Sequence, residues 1–409
     1  MPQSPWLALS AALQKAIDAV VANTESEMVN TRVALGRIVS KAIVAPVSVP
    51  PWDNSAMDGY AVNTEQALLG AVLPVSQTLT AGMAADTPLS PNSAARIMTG
   101  AQIPTGANAV IMQENTEISG SKVVIKQAAT EGENIRVCGA DITKDSIVVE
   151  AGTRLTASHL MLISSLGLAE VEVYKKLKIG VLATGDELAA PGTQASPEQI
   201  YEANRTGVSA LLAPLAVDVH DYGIAKDDPQ VIRELFQKAT REVDMLISSG
   251  GVSVGDADFV KDVLQDLGEI EFWKVAIKPG KPFAFGIVGN TYFCGLPGNP
   301  VSAYVTTEQI VMPLLRHLQG ETIDPDSHRM TLNATVTKTF KRRPGRKEFL
   351  RALWHRDDEG KLWVTPFKKQ SSGVMSTVTQ ANCYLILEAE TSVIAPGDTV
   401  DIQPFTMLL

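Results

Sequence analysis

The run S-S-G-G-V-S-V-G-D-A-D, Ser248 to Asp258, closes an apolar strand pattern, D-M-L-I-S, and precedes a helical one. Three glycines at a strand end let a backbone come close to a ligand. Two aspartates in the same loop repel the phosphates that such loops hold. A ligand with anionic groups and a hard cation beside it reconciles the two, because Mg²⁺ binds through one or two carboxylates together with substrate phosphates.

The pattern repeats outward from that loop. Between Lys176 and His317 the apolar strands I-G-V-L-A, D-M-L-I-S, V-A-I and Y-F-C-G alternate with helical segments starting near Asn204, Pro229 and Pro300. Such alternation predicts a mainly parallel sheet covered on both faces. The strands end in A-T-G-D-E-L (Ala183 to Leu188), the Ser248 loop, K-V-A-I-K-P-G-K-P (Lys274 to Pro282) and C-G-L-P-G-N-P (Cys294 to Pro300). Ligands bind outside the carboxyl ends of strands in open α/β sheets, so these loops are expected to line one crevice. A single G-G or P-G is ordinarily only a turn; charged glycine loops at successive strand ends say more. Lys274, Lys278 and Lys281 suit anionic ligand groups. Asp186, Glu187, Asp227, Asp256 and Asp258 require a cation between themselves and such a ligand. Asp227 has a competing reading, since Asp227-Asp228-Pro229 is also a helix N-cap signal. Asp256 reads equally as a cap, which leaves Asp258 the better metal candidate.

Three further zones surround this domain. Residues 1 to about 45 read as helical: Leu9, Leu13, Ile17 and Val20 recur at helical spacing, and a second apolar-periodic segment follows from Glu25 to Val44. Residues 46–141 carry short Val/Ile/Thr-rich runs between Gly, Pro and Asn signals, as in a β-rich domain. Helical pattern returns from Leu155 to Leu168, so the β zone is expected to be inserted into a discontinuous helical or linker domain, 1–45 with 142–175. The α/β domain is then 176–327. The tail, 328–409, reads as a small β-barrel.

Bulk properties narrow the function. The chain has 409 residues, with 45% hydrophobic and 20% charged residues, enough for several domains with ordinary cores. A formal charge of −10 argues against nucleic acid as a partner. No apolar run reaches the roughly 18 residues of a membrane span. Lys15 and Asp18 interrupt the first apolar stretch, so no signal peptide is expected. Three scattered cysteines, Cys138, Cys294 and Cys383, argue against a disulfide framework or a thiolate zinc site, and the expected location is cytoplasmic. His159 reads as a surface or packing residue, Cys294 as a small core residue, and the basic run Lys341 to Lys347 as a solvated hairpin edge, although Arg346 could point into the crevice.

A second motif, P-P-W-D-N-S-A-M-D-G-Y-A-V (Pro50 to Val62), is alone no more than a loop entering the β zone. In combination the motifs are more specific. D-N-S-A-M-D-G-Y-A-V, R-I-M-T-G-A, S-S-G-G-V-S-V-G-D-A-D, K-P-G-K-P and G-L-P-G-N-P-V-S-A occur in one order. That series resembles the molybdopterin molybdotransferase family, the bacterial MoeA proteins, related to the C-terminal part of gephyrin. The resemblance covers nearly the whole chain and implies a multidomain α/β plus β fold. Its parts are a three-layer molybdopterin-binding domain, a helical linker domain, an inserted β-rich domain and a C-terminal β-barrel.

It also implies a reaction: adenylylated molybdopterin and molybdate are the substrates, molybdenum is inserted at the dithiolene sulfurs, AMP is released, and Mg²⁺ is required. It implies a homodimer in which Asp58 of M-D-G and Thr99 of I-M-T-G face the α/β domain of the other subunit. Arg136 and Asp141 match N-I-R-x-x-G-x-D. Glu187 matches an acidic residue of the molybdenum-insertion step, and Asp227 and Asp258 match acidic positions near metal and pterin. Lys274 and Lys278 match a basic pair. Gly250, Gly251 and Ser253 belong to the central substrate loop. Pro297, Gly298 and Pro300 belong to the loop that shapes the molybdate pocket, and Ser372 is the tail serine near the cleft. Transient contacts with the molybdopterin adenylyltransferase and with molybdoenzyme maturation factors follow from the same resemblance. The sequence departs from the family pattern at Ala140, Ala203 and Ser371, and Ala203 loosens the expectation for Asn204. Two alternatives are a molybdopterin adenylyltransferase, against which G-G-V-S in place of G-G-T-G speaks, and a non-catalytic gephyrin-like scaffold, against which the intact acids and lysines speak.

Overall fold

The computed structural model describes residues 6–251, 259–272, 274–322 and 330–405. Asp256, Asp258 and Ser253 lie outside the described residues. No helix among the described residues is long and apolar enough to cross a membrane.

The first helix, Leu9–Ala19, forms as its spacing predicts. It buries Ala12 and Ala16 against the apolar face of the α/β sheet. The segment after it does not continue as helix. Ser26–Asn30 is a strand, antiparallel to Glu170–Tyr174, and Ile43–Val44 pairs with Ile147–Val149. The helix Ala157–Ser165 completes this unit, over a core of Val39, Leu155, Ile163, Val171 and Val173. Its N-terminus explains His159: Thr156 and His159 form a reciprocal capping box, with the Thr156 amide donating to His159 Nδ1 at 3.1 Å.

Residues between these halves form a six-stranded sheet, in the order 109–112, 59–62, 94–97, 72–79, 122–125, 116–119. Alternation along Tyr60-Ala61-Val62 places Tyr60 and Val62 in one apolar cluster and Ala61 in another, on opposite faces.

The α/β domain has strands β1 (Lys178–Thr184), β2 (Asp218–Ala225), β3 (Met245–Ser249), β4 (Gly268–Phe272), β5 (Ala284–Val288) and β6 (Thr291–Leu296), in the spatial order 2-1-3-6-5-4. Strands β2, β1, β3 and β6 are parallel; β5 is antiparallel to both β6 and β4. Ile179, Val181, Ile247 and Leu296 face α1 (Asn204–Leu212) and the helices after residue 300. Leu182, Leu246 and Phe293 face α2 (Pro229–Glu242) and α3 (Phe259–Leu267). The sheet is thus covered on both faces. V-A-I departs from its expected place. Ile277–Lys278 leaves this sheet and pairs in parallel with Lys347–Glu348, while the hairpin of β5 and β6 supplies the sheet's missing strand.

In the tail, β7 (Leu332–Val336), β8 (Lys347–Arg356), β9 (Leu362–Pro366), β10 (Cys383–Leu387) and β11 (Thr399–Pro404) run β8-β9-β7-β11-β10 and close back onto β8, a five-stranded barrel. Val336, Leu350, Val364, Leu385 and Ile402 fill it.

A buried ion network ties the linker to the α/β domain. Glu321 accepts from Arg316 Nε and Nη2 at 2.9 and 2.6 Å and from Arg154 Nη2 at 2.6 Å, while Arg154 also donates to the Gly36 carbonyl. Burial alone would raise the Glu321 carboxyl; hydrogen bonds from Arg316 and Arg154 outweigh it and hold the group below the ordinary glutamate value. Because the folded pKa is depressed, the stabilisation is complete above the unfolded value and is lost as pH falls through the folded one. Glu321→Gln, which removes the charge facing two half-buried guanidinium groups, is expected to cost roughly 2 kcal/mol at pH 7. Its deficit against the parent should shrink in acid below about pH 4. Denaturant titrations of both proteins across pH check this; a deficit constant with pH contradicts it.

Candidate active site

The carboxyl ends of β1, β3 and β6 meet. Gly250 and Gly251, at φ +90° and +66°, turn the chain off β3. A Cβ on Gly250 would lie 2.6 Å from the Thr184 carbonyl oxygen, and one on Gly251 would collide with the Val260 side chain of α3. Glycine is therefore demanded by conformation and by space. Gly251→Ala is expected to cost about 2 kcal/mol from strain and displacement of Val260. Chemical unfolding measures it, and unchanged stability would mean that the loop has room. Asn204, at the start of α1, clips the loops together: its Nδ2 donates to Ser249 Oγ at 2.7 Å and to the Gly298 carbonyl at 2.8 Å. Ala203, its neighbour, leaves both bonds in place.

Acidic groups gather after β1 and β2. Asp228, not Asp227, caps α2, accepting from the Gln230 and Val231 amides at 2.7 and 3.3 Å. Asp227 is left for other work. Its amide donates to Asp186 Oδ1 at 3.3 Å. Partial desolvation pushes its carboxyl above the ordinary aspartate value; the Asp186 backbone amide opposes this, and the charges of Asp186 and Glu187 add to it. The Glu187 carboxylate folds back over the Cα of Gly185, where any side chain would displace it. Among the described residues no group of three or more His, Cys, Asp or Glu side chains is arranged to hold a metal ion.

Cations gather on the other side. Lys278, Lys281, Arg346, Asn299, Ser302 and Ser372 are among the groups lining a cavity of about 350 Å³, walled also by Pro279 and Pro297. The tail builds its far side. Arg351, buried in the barrel, donates from Nη2 to the Ser371 carbonyl at 3.0 Å, and Gln370 is bonded to the Arg351 backbone on both its amide and its carbonyl. The Ser372 carbonyl accepts from the Val301 amide at 3.1 Å, docking the tail on the Pro297–Pro300 loop. Lys281 Nζ sits 4.1 Å from the centre of the Trp6 ring, a cation–π contact. Lys274 is half-buried, and its carbonyl accepts from the Leu7 amide at 3.3 Å.

The reading of Lys341 to Lys347 as a solvated edge holds only in part. The Arg342 side chain is buried and its Nη1 donates to the Arg346 carbonyl at 2.6 Å, while Arg346 lines the cavity. Cys294 is fully buried in the core, where burial pushes its thiol well up.

The inserted domain brings its own motif residues together. Thr99 donates from its amide and hydroxyl to Asp58 Oδ1 at 2.7 and 2.8 Å, and these bonds hold the exposed Asp58 carboxyl below its ordinary value. Arg136 pairs in a short strand with Asn54. Asp141 donates its amide to the Val49 carbonyl at 3.0 Å. Two distant motifs thus form one exposed surface. Among the described residues no hydrogen bond or ion pair joins Asp58, Thr99, Arg136 or Asp141 to the α/β loops.

A parallel sheet whose strand ends carry glycine turns, a carboxylate corner and a lysine-lined cavity defines a ligand-binding α/β domain with a pocket suited to anionic groups. Comparison with known proteins is specific on this point. Residues 7–167 match the model of the MoeA N-terminal region (domains I and II), 180–317 that of a probable molybdopterin binding domain, and 333–405 that of the MoeA C-terminal region (domain IV). The chain is 42% identical over 405 residues to the molybdopterin molybdenumtransferase of Haemophilus influenzae, covering 98% of this chain and 100% of that one. It is 34% identical to the Bacillus subtilis molybdopterin molybdenumtransferase, covering 92% and 89%. The crystal structure of the MoeA molybdopterin biosynthesis protein from Pyrococcus horikoshii superposes with a TM-score of 0.83 at 28% identity, covering 98% of this chain and 100% of that one. The chain belongs to the MoeA family.

Proposed function

We propose that this protein is a molybdopterin molybdotransferase of molybdenum cofactor biosynthesis: it inserts molybdenum from molybdate into adenylylated molybdopterin and releases AMP. The cavity lined by Lys278, Lys281, Arg346 and Ser372 carries the reading. Its cations and hydroxyl suit a small tetrahedral dianion, which a carboxylate-lined pocket would repel. The glycine loop at Gly250 and Gly251 admits the substrate's phosphates, with Lys274 as a further anion partner. Pro297 lines the cavity, Gly298 and Pro300 belong to the same substrate loop, and Arg136 and Asp141 serve as substrate contacts on the inserted domain. Ser253 has the same substrate-binding role in this reading.

The chemistry balances simply. Both dithiolene sulfurs bond to molybdenum, and one oxygen of molybdate leaves as water with the two thiol protons. Hydrolysis of the phosphoric anhydride then frees AMP and leaves a terminal phosphate. Asp186, Glu187 and Asp227 are hard oxygen donors of the type Mg²⁺ takes, and a cation would relieve the charge that Asp186 and Glu187 place on Asp227. Glu187 and Asp227, together with Asp258, would hold the ion, which would stabilise charge on the departing phosphate. Glu187 orients the reacting groups beside it, and Asp58, fixed by Thr99, does so from the inserted domain.

In this reading the chain is divided for the reaction into four domains, 1–45 with 142–175, 46–141, 176–327 and 328–409. The protein acts as a homodimer in the cytoplasm. It receives substrate from the adenylyltransferase and passes product to maturation factors. Relatives matching 91% or more of the chain do not favour the adenylyltransferase or scaffold alternatives. The test is reconstitution of a molybdenum-free molybdoenzyme by the purified protein with adenylylated molybdopterin, micromolar molybdate and Mg²⁺. Equal reconstitution without the protein would sink the reading.

A further inference from the structure

We propose that Glu348, a barrel residue outside the cavity wall, positions Lys278 and limits how tightly the cavity holds its oxyanion. The inference rests on the reading of that cavity as the oxyanion site. Lys278 and Glu348 are direct partners in the parallel pairing that joins the K-P-G-K-P loop to β8. Lys278 Nζ lies 3.1 Å from Glu348 Oε1, and Arg342 Nη1 lies 3.4 Å from the same oxygen. The Glu348 and Arg342 side chains are each only 2% exposed, while Lys278 is 40% exposed and lines the cavity. Glu348 Oε2 and Arg342 Nε are buried without a hydrogen-bond partner.

That arrangement is poor as a device for stability. A buried ion pair with an unsatisfied oxygen gains little over an apolar replacement. It makes sense as a device for the lysine. The ammonium stands between a fixed carboxylate behind it and the cavity in front. Glu348 orders the flexible lysine stem and cancels part of its charge toward the cavity. Arg342 holds the same carboxylate and the Arg346 carbonyl, so the node also ties two cavity cations to one barrel strand. An oxyanion gripped by fully exposed charge would be stabilised in its ground state, which raises the barrier to its transfer. The carboxylate keeps the grip moderate.

The test is a double-mutant cycle on the full-length protein, read by calorimetric titration with molybdate and by turnover. Glu348→Gln is expected to bind molybdate about tenfold tighter and to turn over about tenfold more slowly at saturation, a split between affinity and rate. In a Lys278→Gln background the same change should alter affinity less than about twofold. Thermal unfolding checks each variant. If Glu348→Gln does not fold, Glu348→Asp withdraws the charge by one methylene and should shift affinity and rate in the same directions by about threefold. Equal affinity shifts in both backgrounds, or unchanged or weaker binding on loss of Glu348 in the parent, overturn the inference alone. Equal molybdate affinity of parent and Lys278→Gln overturns the cavity reading and this inference with it.

Discussion

Glu187→Ala is expected to bind adenylylated molybdopterin as the parent does and to lose turnover by roughly a hundredfold or more, the scale for removing a preorganised charged group at a reacting centre. The split follows from where Glu187 sits. It is exposed after β1, folded over Gly185, and among the described residues its carboxylate makes no hydrogen bond or ion pair. Its removal therefore leaves the fold and the cation-lined cavity intact, and a surface change of this kind costs stability within about 0.5 kcal/mol. Its loss instead removes one of the charges that face Asp227. Equilibrium binding of the adenylylate and single-turnover AMP release separate the two effects. Preserved turnover would remove Glu187 from the mechanism.

The second large effect concerns the dimer. Asp58 and Thr99 form a ready-made polar pair on the inserted domain, yet among the described residues of one chain no hydrogen bond or ion pair links them to the α/β loops. If they serve the partner's crevice, Asp58→Ala and Glu187→Ala are each inactive alone and complement when mixed. In an isologous pair each site takes Asp58 from one chain and Glu187 from the other, so a mixed dimer has one intact site, and random exchange should restore about a quarter of parental activity. Assay of the exchanged mixture measures it, and the mixed dimer isolated by co-expression with two affinity tags should hold about half the parental activity. A strictly monomeric active protein, or no recovery in purified mixed dimers, contradicts the shared site.

What was legible in the sequence follows the range of the forces involved. The strands β1, β3 and β6 and their loops could be read locally, because buried parallel strands are continuous apolar runs and their ends concentrate glycine and charge. V-A-I was too short to arbitrate: its apolar pattern is that of a sheet strand, and only its pairing with Lys347 and Glu348, some seventy residues on, sends it to the barrel. The segment after Glu25 failed for the same reason. Its helical spacing yields to pairing with Glu170–Tyr174 across the whole inserted domain. Asp227 and Asp228 could not be separated by sequence, since either fits a cap; the hydrogen bonds give the cap to Asp228. The motif roles of Asp58 and Thr99 came through resemblance, and their contact joins residues forty-one apart in the chain. Glu348 left no signal, because a charged residue near the start of a strand reads as solvent-facing until the strand is seen to close a barrel against Lys278.

The central claim is that the crevice couples molybdate to cleavage of the adenylylate. It is tested most directly by following AMP release from adenylylated molybdopterin by the purified protein with Mg²⁺, with and without molybdate. The account predicts AMP release that depends on molybdate and is lost in Glu187→Ala. Tight binding of the adenylylate with no AMP release under either condition would contradict it and make the protein a carrier.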